Sequence, residues 1–145
     1  MRIIRELIEF QPKSHKTDIA QALKFLSGTQ KKKAIVFVIS DFMAEDYEHT
    51  LKIAAKKHDI TGIRVYDIRE EKIPDLGMVS MLDAETGQIQ LVNTGSKSVR
   101  MNYEKQYHNK VNYFKETFSK SGSGVVNTRV DESYVTKLLS YFKSR

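Results

Sequence analysis

No cysteine occurs among the 145 residues. That excludes disulfide staples, thiolate catalysis and thiolate zinc sites. No apolar run approaches the roughly 18 residues that a membrane helix needs. The longest, Ala34 to Ile39, has the size of a strand. The first residues, Met1-Arg2-Ile3-Ile4-Arg5-Glu6, carry no signal-peptide core. No G-x-S-x-G, P-loop or G-x-G-x-x-G is present, and Gly122 and Gly124 follow a helical pattern where phosphate binding needs a preceding strand. His15, His49, His58 and His108 lack metal-ligand spacing and read as surface residues. No internal repeat or long linker interrupts the chain. The length favours one domain, and 40% hydrophobic with 29% charged residues is ordinary globular composition. A cytoplasmic location is expected.

The net charge is +6, but it is unevenly placed. Residues 1–33 hold 8 basic and 3 acidic side chains, residues 34–96 hold 6 and 11, and residues 97–145 hold 10 and 4. The ends are basic and the centre is acidic. A uniform nucleic-acid platform would not be built this way, and an acidic centre suits a cation better than a phosphate.

Along the chain, Ile3, Ile4, Leu7 and Ile8 give an amphipathic helix over 2–10, which Pro12 stops. Gln11 to Lys16 is a polar loop. Thr17 is placed to cap a second helix, with Asp18 in its first turn, Ile19, Ala22, Leu23 and Leu26 as its stripe, and Gly28 closing it. Ala34 to Ile39 is apolar on both faces and reads as a buried parallel strand covered by helices on both sides. A helix with Tyr47, Leu51 and Ala54 on its core face follows. A strand from Ile60 to Asp67, with Ile63 and Val65 alternating against Arg64 and Tyr66, completes a βαβ unit. Met78 to Leu82 and Ile89 to Val92 flank Asp83-Ala84-Glu85-Thr86-Gly87 as a β-hairpin. Val99, Tyr103, Tyr107, Val111, Phe114 and Phe118 mark a long helix over 97–120, broken by Ser121-Gly122-Ser123-Gly124. A short strand from Val125 and a last helix, capped by Asp131 with Tyr134, Val135, Leu138, Leu139 and Phe142 as its stripe, end the chain. The fold class is α/β: an open, mainly parallel sheet with helices on both faces, plus an inserted hairpin.

Ligands of such sheets bind outside the carboxyl ends of the strands. Those ends carry Ser40, Asp41, Asp67 and Asn127. Thr17 serves either as a helix cap or as a hydroxyl ligand for a hard cation. Asp41 is either a ligand-edge carboxylate or a cap or salt bridge for the next helix. Asp67, with Arg69, Glu70 and Glu71 after it, reads as an acid pair or as a solvated loop held by an Asp–Arg bridge. A hydrolase using Asp41 and Asp67 would need a third ligand or a general base, and none stands out. Lys97, Arg100, Lys105, Lys110, Lys115 and Lys120 share the long helix with aromatics. A single-strand nucleic-acid surface would look like this, but the aromatics fall on the period of a core.

Thr17-Asp18-Ile19, Lys33-Ala34-Ile35-Val36-Phe37-Val38-Ile39-Ser40-Asp41-Phe42, His58-Asp59-Ile60 and Val65-Tyr66-Asp67-Ile68-Arg69-Glu70 together resemble the bacterial domain-of-unknown-function family 58. Pro74-Asp75-Leu76-Gly77 and Asp83-Ala84-Glu85-Thr86-Gly87 extend the likeness over nearly the whole chain. The resemblance implies a von Willebrand factor A-like domain that works in protein interaction with a MoxR-type AAA+ ATPase and with von Willebrand A-domain proteins, in assembly or maturation of other proteins, and not as an enzyme. It also implies a Mg²⁺-holding, metal-ion-dependent adhesion site, in which Thr17 matches the threonine and Asp41 the later aspartate. The D-x-S-x-S loop of such sites is missing from these 145 residues. The family's first strand, first helix and edge strand would lie before Met1. The resemblance therefore implies an N-terminally truncated domain over 1–145, with an incomplete site that binds Mg²⁺ weakly or not at all in this chain. A strand at 34–39 with one open edge is expected to pair with a second copy. A nucleic-acid module using the helix 97–120 is the alternative function.

Overall fold

A computed structural model describes residues 2–11, 16–83 and 87–144. Helix α1 spans Arg2–Glu9 and α2 spans Ile19–Thr29. Strand β1 (Ile35–Ser40), helix α3 (Glu48–Lys57) and strand β2 (Asp59–Tyr66) form the expected βαβ unit. A 3-10 turn, Ile68–Glu70, leads to the hairpin β3 (Met78–Leu82) and β4 (Ile89–Asn93). Helix α4 (Lys97–Lys120), strand β5 (Gly124–Arg129) and helix α5 (Tyr134–Lys143) follow. The main sheet has the order β1-β2-β5, with both pairs parallel. The fold is thus α/β, with a mainly parallel sheet flanked by helices and a small antiparallel pair. No helix among the described residues is long and apolar enough to cross a membrane. Pro12 and His15, and the hairpin tip at 84–86, lie outside the described residues.

One face of the sheet is well covered. Ile19 and Leu23 of α2, Leu51 and Ala54 of α3, and Phe114 and Phe118 of α4 close over Ile60, with Val36, Val38 and Val125 packed against them. Phe42, Phe114 and Phe118 form an aromatic cluster: Phe42 stacks on Phe114 at 4.0 Å, and Phe118 meets both rings edge-on. The period of α4 set this arrangement, since Tyr107, Val111, Phe114 and Phe118 all reach the buried side. Gly62 in β2 leaves room for the rings of Phe114 and Phe118.

The other face corrects the expectation of a strand buried on both sides. Ile35, Phe37 and Ile39 are 68%, 45% and 67% exposed. Composition made β1 apolar on both faces, but burial depends on a covering element, and α5 covers little of this face. It docks mainly through Tyr141, whose hydroxyl lies 3.0 Å from Thr61 Oγ1, and Phe142, whose ring meets Phe37 edge-on. No α5 residue is buried, so its predicted stripe of Tyr134, Val135, Leu138, Leu139 and Phe142 is apolar surface more than core.

Three local expectations also change. Asp18, not Thr17, caps α2: its carboxylate accepts the Gln21 N–H at 2.7 Å, and aspartate caps as well as threonine does. Asp131 does not cap α5. Arg129 claims it through two charge-assisted bonds of 2.8 and 3.0 Å, and Ser133 holds the cap position. His58 is buried just before β2, with no hydrogen-bond partner on either ring nitrogen among the described residues, so it is not a surface residue.

Tyr47 is fully buried, and its hydroxyl has no hydrogen-bond partner among the described residues. Burial first, and the neighbouring Tyr113 second, push its phenol well above the ordinary value of 10.0. The unfolded chain would therefore ionise this group while the folded chain still held it neutral. Its contribution is complete below about pH 10 and falls away as the pH rises further. Tyr47→Phe is expected to leave stability unchanged or raised at neutral pH, because it removes an unsatisfied buried polar group. It should also flatten the alkaline loss. Urea denaturation of both proteins near neutrality and above about pH 10 checks this.

Candidate functional site

The carboxyl end of β1 is held by its own sequence. Ser40 Oγ accepts the Phe42 N–H at 3.1 Å and donates to Asp41 Oδ1 at 3.2 Å. The same carboxylate oxygen accepts the Met43 N–H at 3.2 Å, closing a short turn of the kind aspartate favours. Phe42 takes a positive φ of 57°, which directs its ring down into the aromatic cluster. A bulky side chain pays about 1–2 kcal/mol for that backbone conformation, and a fully buried ring outweighs it. Asp41 is thereby left exposed at the sheet edge on a fixed loop. Its Oδ2 takes part in no hydrogen bond or ion pair among the described residues.

Arg64 secures this loop from β2. It is only 2% exposed, and its Nε donates to the Asp41 carbonyl at 3.2 Å. Its Nη2 donates to the Tyr107 hydroxyl at 2.5 Å, and the guanidinium lies 4.2 Å from the Tyr66 ring centroid. The charge is compensated by aromatic faces and oxygens instead of a carboxylate. Alternation along β2 put Arg64 on the side opposite Ile63, and that is correct. What alternation could not show is that Arg64 faces α4 and is buried there. Basic residues are rarely so buried, and the sequence carries no local sign of it.

Thr17 is exposed one residue before the Asp18 cap. α2 packs on α3, and Ile19 in its first turn shares the core cluster with Phe42. Thr17 and Asp41 are the two residues that the sequence reading offers to a hard cation. Both offer oxygen, the donor that Mg²⁺ prefers, and Mg²⁺ is commonly held by one or two protein groups with water completing its shell. The donor chemistry fits a hydrated Mg²⁺, though two side chains make a weak holder.

The other candidates fall elsewhere. The Asp67 carboxylate accepts the Arg69 N–H at 2.9 Å and caps the 3-10 turn. It serves as a backbone cap and not as one arm of an acid pair. Glu71, Glu104 and His108 bring their ligand atoms within 4.8 Å of one another. There His108 lies 3.6 Å from Glu71, and the Lys72–Glu104 ion pair at 3.4 Å ties α4 to the loop after β2. The aromatics of α4 that would have to stack on bases are taken by the core: Tyr107, Phe114 and Phe118 are buried. The structure gives the nucleic-acid reading no support.

The fold is thus an open α/β sheet with an exposed carboxylate on a fixed loop at its carboxyl edge. The chain belongs to the family described as "Protein of unknown function DUF58", whose model matches residues 1–113. It is 26% identical over 129 residues to an uncharacterized protein of Mycobacterium avium, covering 88% of this chain and 76% of that protein. It is 30% identical over 79 residues to uncharacterized proteins of Mycobacterium bovis and Mycobacterium tuberculosis, covering 54% of this chain but only 25% of each of those proteins. Among solved structures it is similar to the conserved hypothetical protein BatB from Bacteroides thetaiotaomicron, at 20% identity and a TM-score of 0.43, over 96% of this chain and 61% of that one.

Proposed function

We propose that this chain is a protein-interaction module of von Willebrand A type that acts by binding and not by catalysis. The observation that carries the reading is Asp41: an exposed carboxylate with one uncommitted oxygen, on a loop immobilised by a buried phenylalanine and a buried arginine. Preorganised groups of this kind bind with little ordering cost. In this reading, drawn from the family resemblance, the partner class is a MoxR-type AAA+ ATPase and the cellular task is assembly or maturation of other proteins in the cytoplasm. Thr17 and Asp41 would be the residues to hold Mg²⁺. When bound, the ion would supply a positive centre for a partner's carboxylate. Asp41 would be its anionic ligand and Thr17 its neutral one.

The test is a calorimetric titration of this chain with the MoxR-type ATPase encoded in the same genome, first in Mg²⁺ and then in EDTA. Saturable binding is expected, stronger in Mg²⁺. Absence of binding in both conditions, with the chain folded by circular dichroism, would overturn the partner assignment.

A further inference from the structure

The loop that holds Asp41 also forms one wall of a recess. Met43 lines it from the loop, and Tyr103, Gln106, Tyr107 and Lys110 line it from α4, around a volume of about 220 Å³. Tyr103 and Tyr107 stand four residues apart on the helix, so their rings share a face. Both walls are fixed. The Met43 N–H bonds to Asp41 Oδ1 at 3.2 Å, and the Tyr107 hydroxyl accepts from the buried Arg64. A cavity of about 150 Å³ is enough for a benzene ring, so the recess has room for one large apolar side chain. Methionine sulfur and tyrosine rings are favourable neighbours for an aromatic group.

Lys110 gives the recess its sign. It is half-buried and makes no hydrogen bond or ion pair among the described residues. Its neighbours one turn away along α4, Gln106, Tyr107, Tyr113 and Phe114, are uncharged. Lys120 on the same helix, by contrast, holds Glu116 at 2.9 Å. A half-buried ammonium without a counter-charge favours an anion brought by another molecule.

We propose that the recess receives a segment of a partner protein, which inserts one aromatic side chain and sets the carboxylate of a neighbouring residue on Lys110. The inference rests on the reading of the Asp41 edge as a protein-binding edge, and it names the partner chemistry that the edge selects. Met43 is two residues from Asp41, so one partner surface meets both. An aromatic anchor in a pocket with charge at the rim is how protein interfaces are commonly built. Here the anchor supplies affinity, and the ammonium selects an acidic neighbour over a basic one.

Methionine-methyl NMR of the ¹³C-labelled chain tests this, with the Met43 signal assigned through Met43→Leu. The probes are N-acetyl-phenylalanyl-aspartyl amide and N-acetyl-phenylalanyl-lysyl amide. The first is expected to shift the Met43 methyl saturably, while Met101, exposed on α4, stays in place. The second should bind about fivefold more weakly, and raised salt should narrow the difference. Lys110→Glu should reverse the preference. Lys110→Gln should abolish it with the fold kept, as checked by circular dichroism. A Met43 methyl that neither probe moves would overturn the proposal. So would equal binding of the two probes, or a preference that survives in Lys110→Gln. A Met43 shift on simple dilution of the chain would overturn it too, since a second copy would then fill the recess. Neither probe involves the ATPase, so failure here is distinct from failure of the ATPase titration, which tests the partner assignment alone.

Discussion

Phe42→Ala is expected to cost about 3–5 kcal/mol of folding stability. The ring is fully buried, stacks on Phe114 at 4.0 Å and meets Phe118 at 5.2 Å. Truncation removes its transfer energy and leaves a cavity between two rings that α4 holds in place. A typical domain is stable by only about 5–15 kcal/mol, so the variant should be marginal. The backbone supplies an internal control. At a φ of 57°, glycine is more comfortable than alanine. Phe42→Gly should therefore be no less stable than Phe42→Ala, although it removes one more carbon. The opposite ranking in urea denaturation would show that the loop carries no strain. Both variants should also loosen the turn at Ser40 and Asp41, since the ring is what anchors it.

Gly62→Ala is the second large effect. A Cβ built on Gly62 would sit 2.6 Å from Phe118 Cε1 and 2.7 Å from Phe114 Cε2. Neither ring can withdraw easily, because both are fully buried and packed on each other. β2 cannot withdraw either, since it is paired on both sides. Overpacking of this kind typically costs about 1–3 kcal/mol, and the contact to two rings at once places this site at the upper end. Gly28→Ala is the matched contrast. It lies in α2, nothing is within 4 Å of a Cβ there, and alanine favours the helix by about 0.5–1 kcal/mol. Thermal melting should move the two variants in opposite directions. A Gly62→Ala protein that melts with wild type would mean the β2–α4 contact is looser than described.

Much of this architecture was legible. Aromatic spacing fixed α4 at Lys97–Lys120, and the alternation of apolar segments gave the parallel order and the hairpin. What failed were the readings that took the outer face of β1 and the stripe of α5 as covered. Ile35, Phe37 and Ile39, like the stripe of α5, are apolar in composition, and composition cannot report whether another element lies over them. The site was half legible. Asp41 followed from its position after an apolar strand. The groups that hold it rigid, Phe42 with its positive φ and Arg64 beneath the loop, are tertiary features with no local signature. Thr17 shows a different limit. Adjacent threonine and aspartate are both good caps, and only the geometry selects Asp18. That selection takes the capping role away from Thr17.

Asp41→Asn tests the proposed binding edge most directly. Asparagine keeps an Oδ1 to accept the Met43 N–H, while the anionic ligand is lost. Melting and titration with the MoxR-type ATPase in Mg²⁺ should be measured on the same preparation. Stability is expected to stay within about 0.5 kcal/mol of wild type, while affinity for the ATPase falls by about tenfold or more, equivalent to about 1.4 kcal/mol. Wild-type affinity in the folded Asp41→Asn protein would contradict the assignment of this edge as the binding surface.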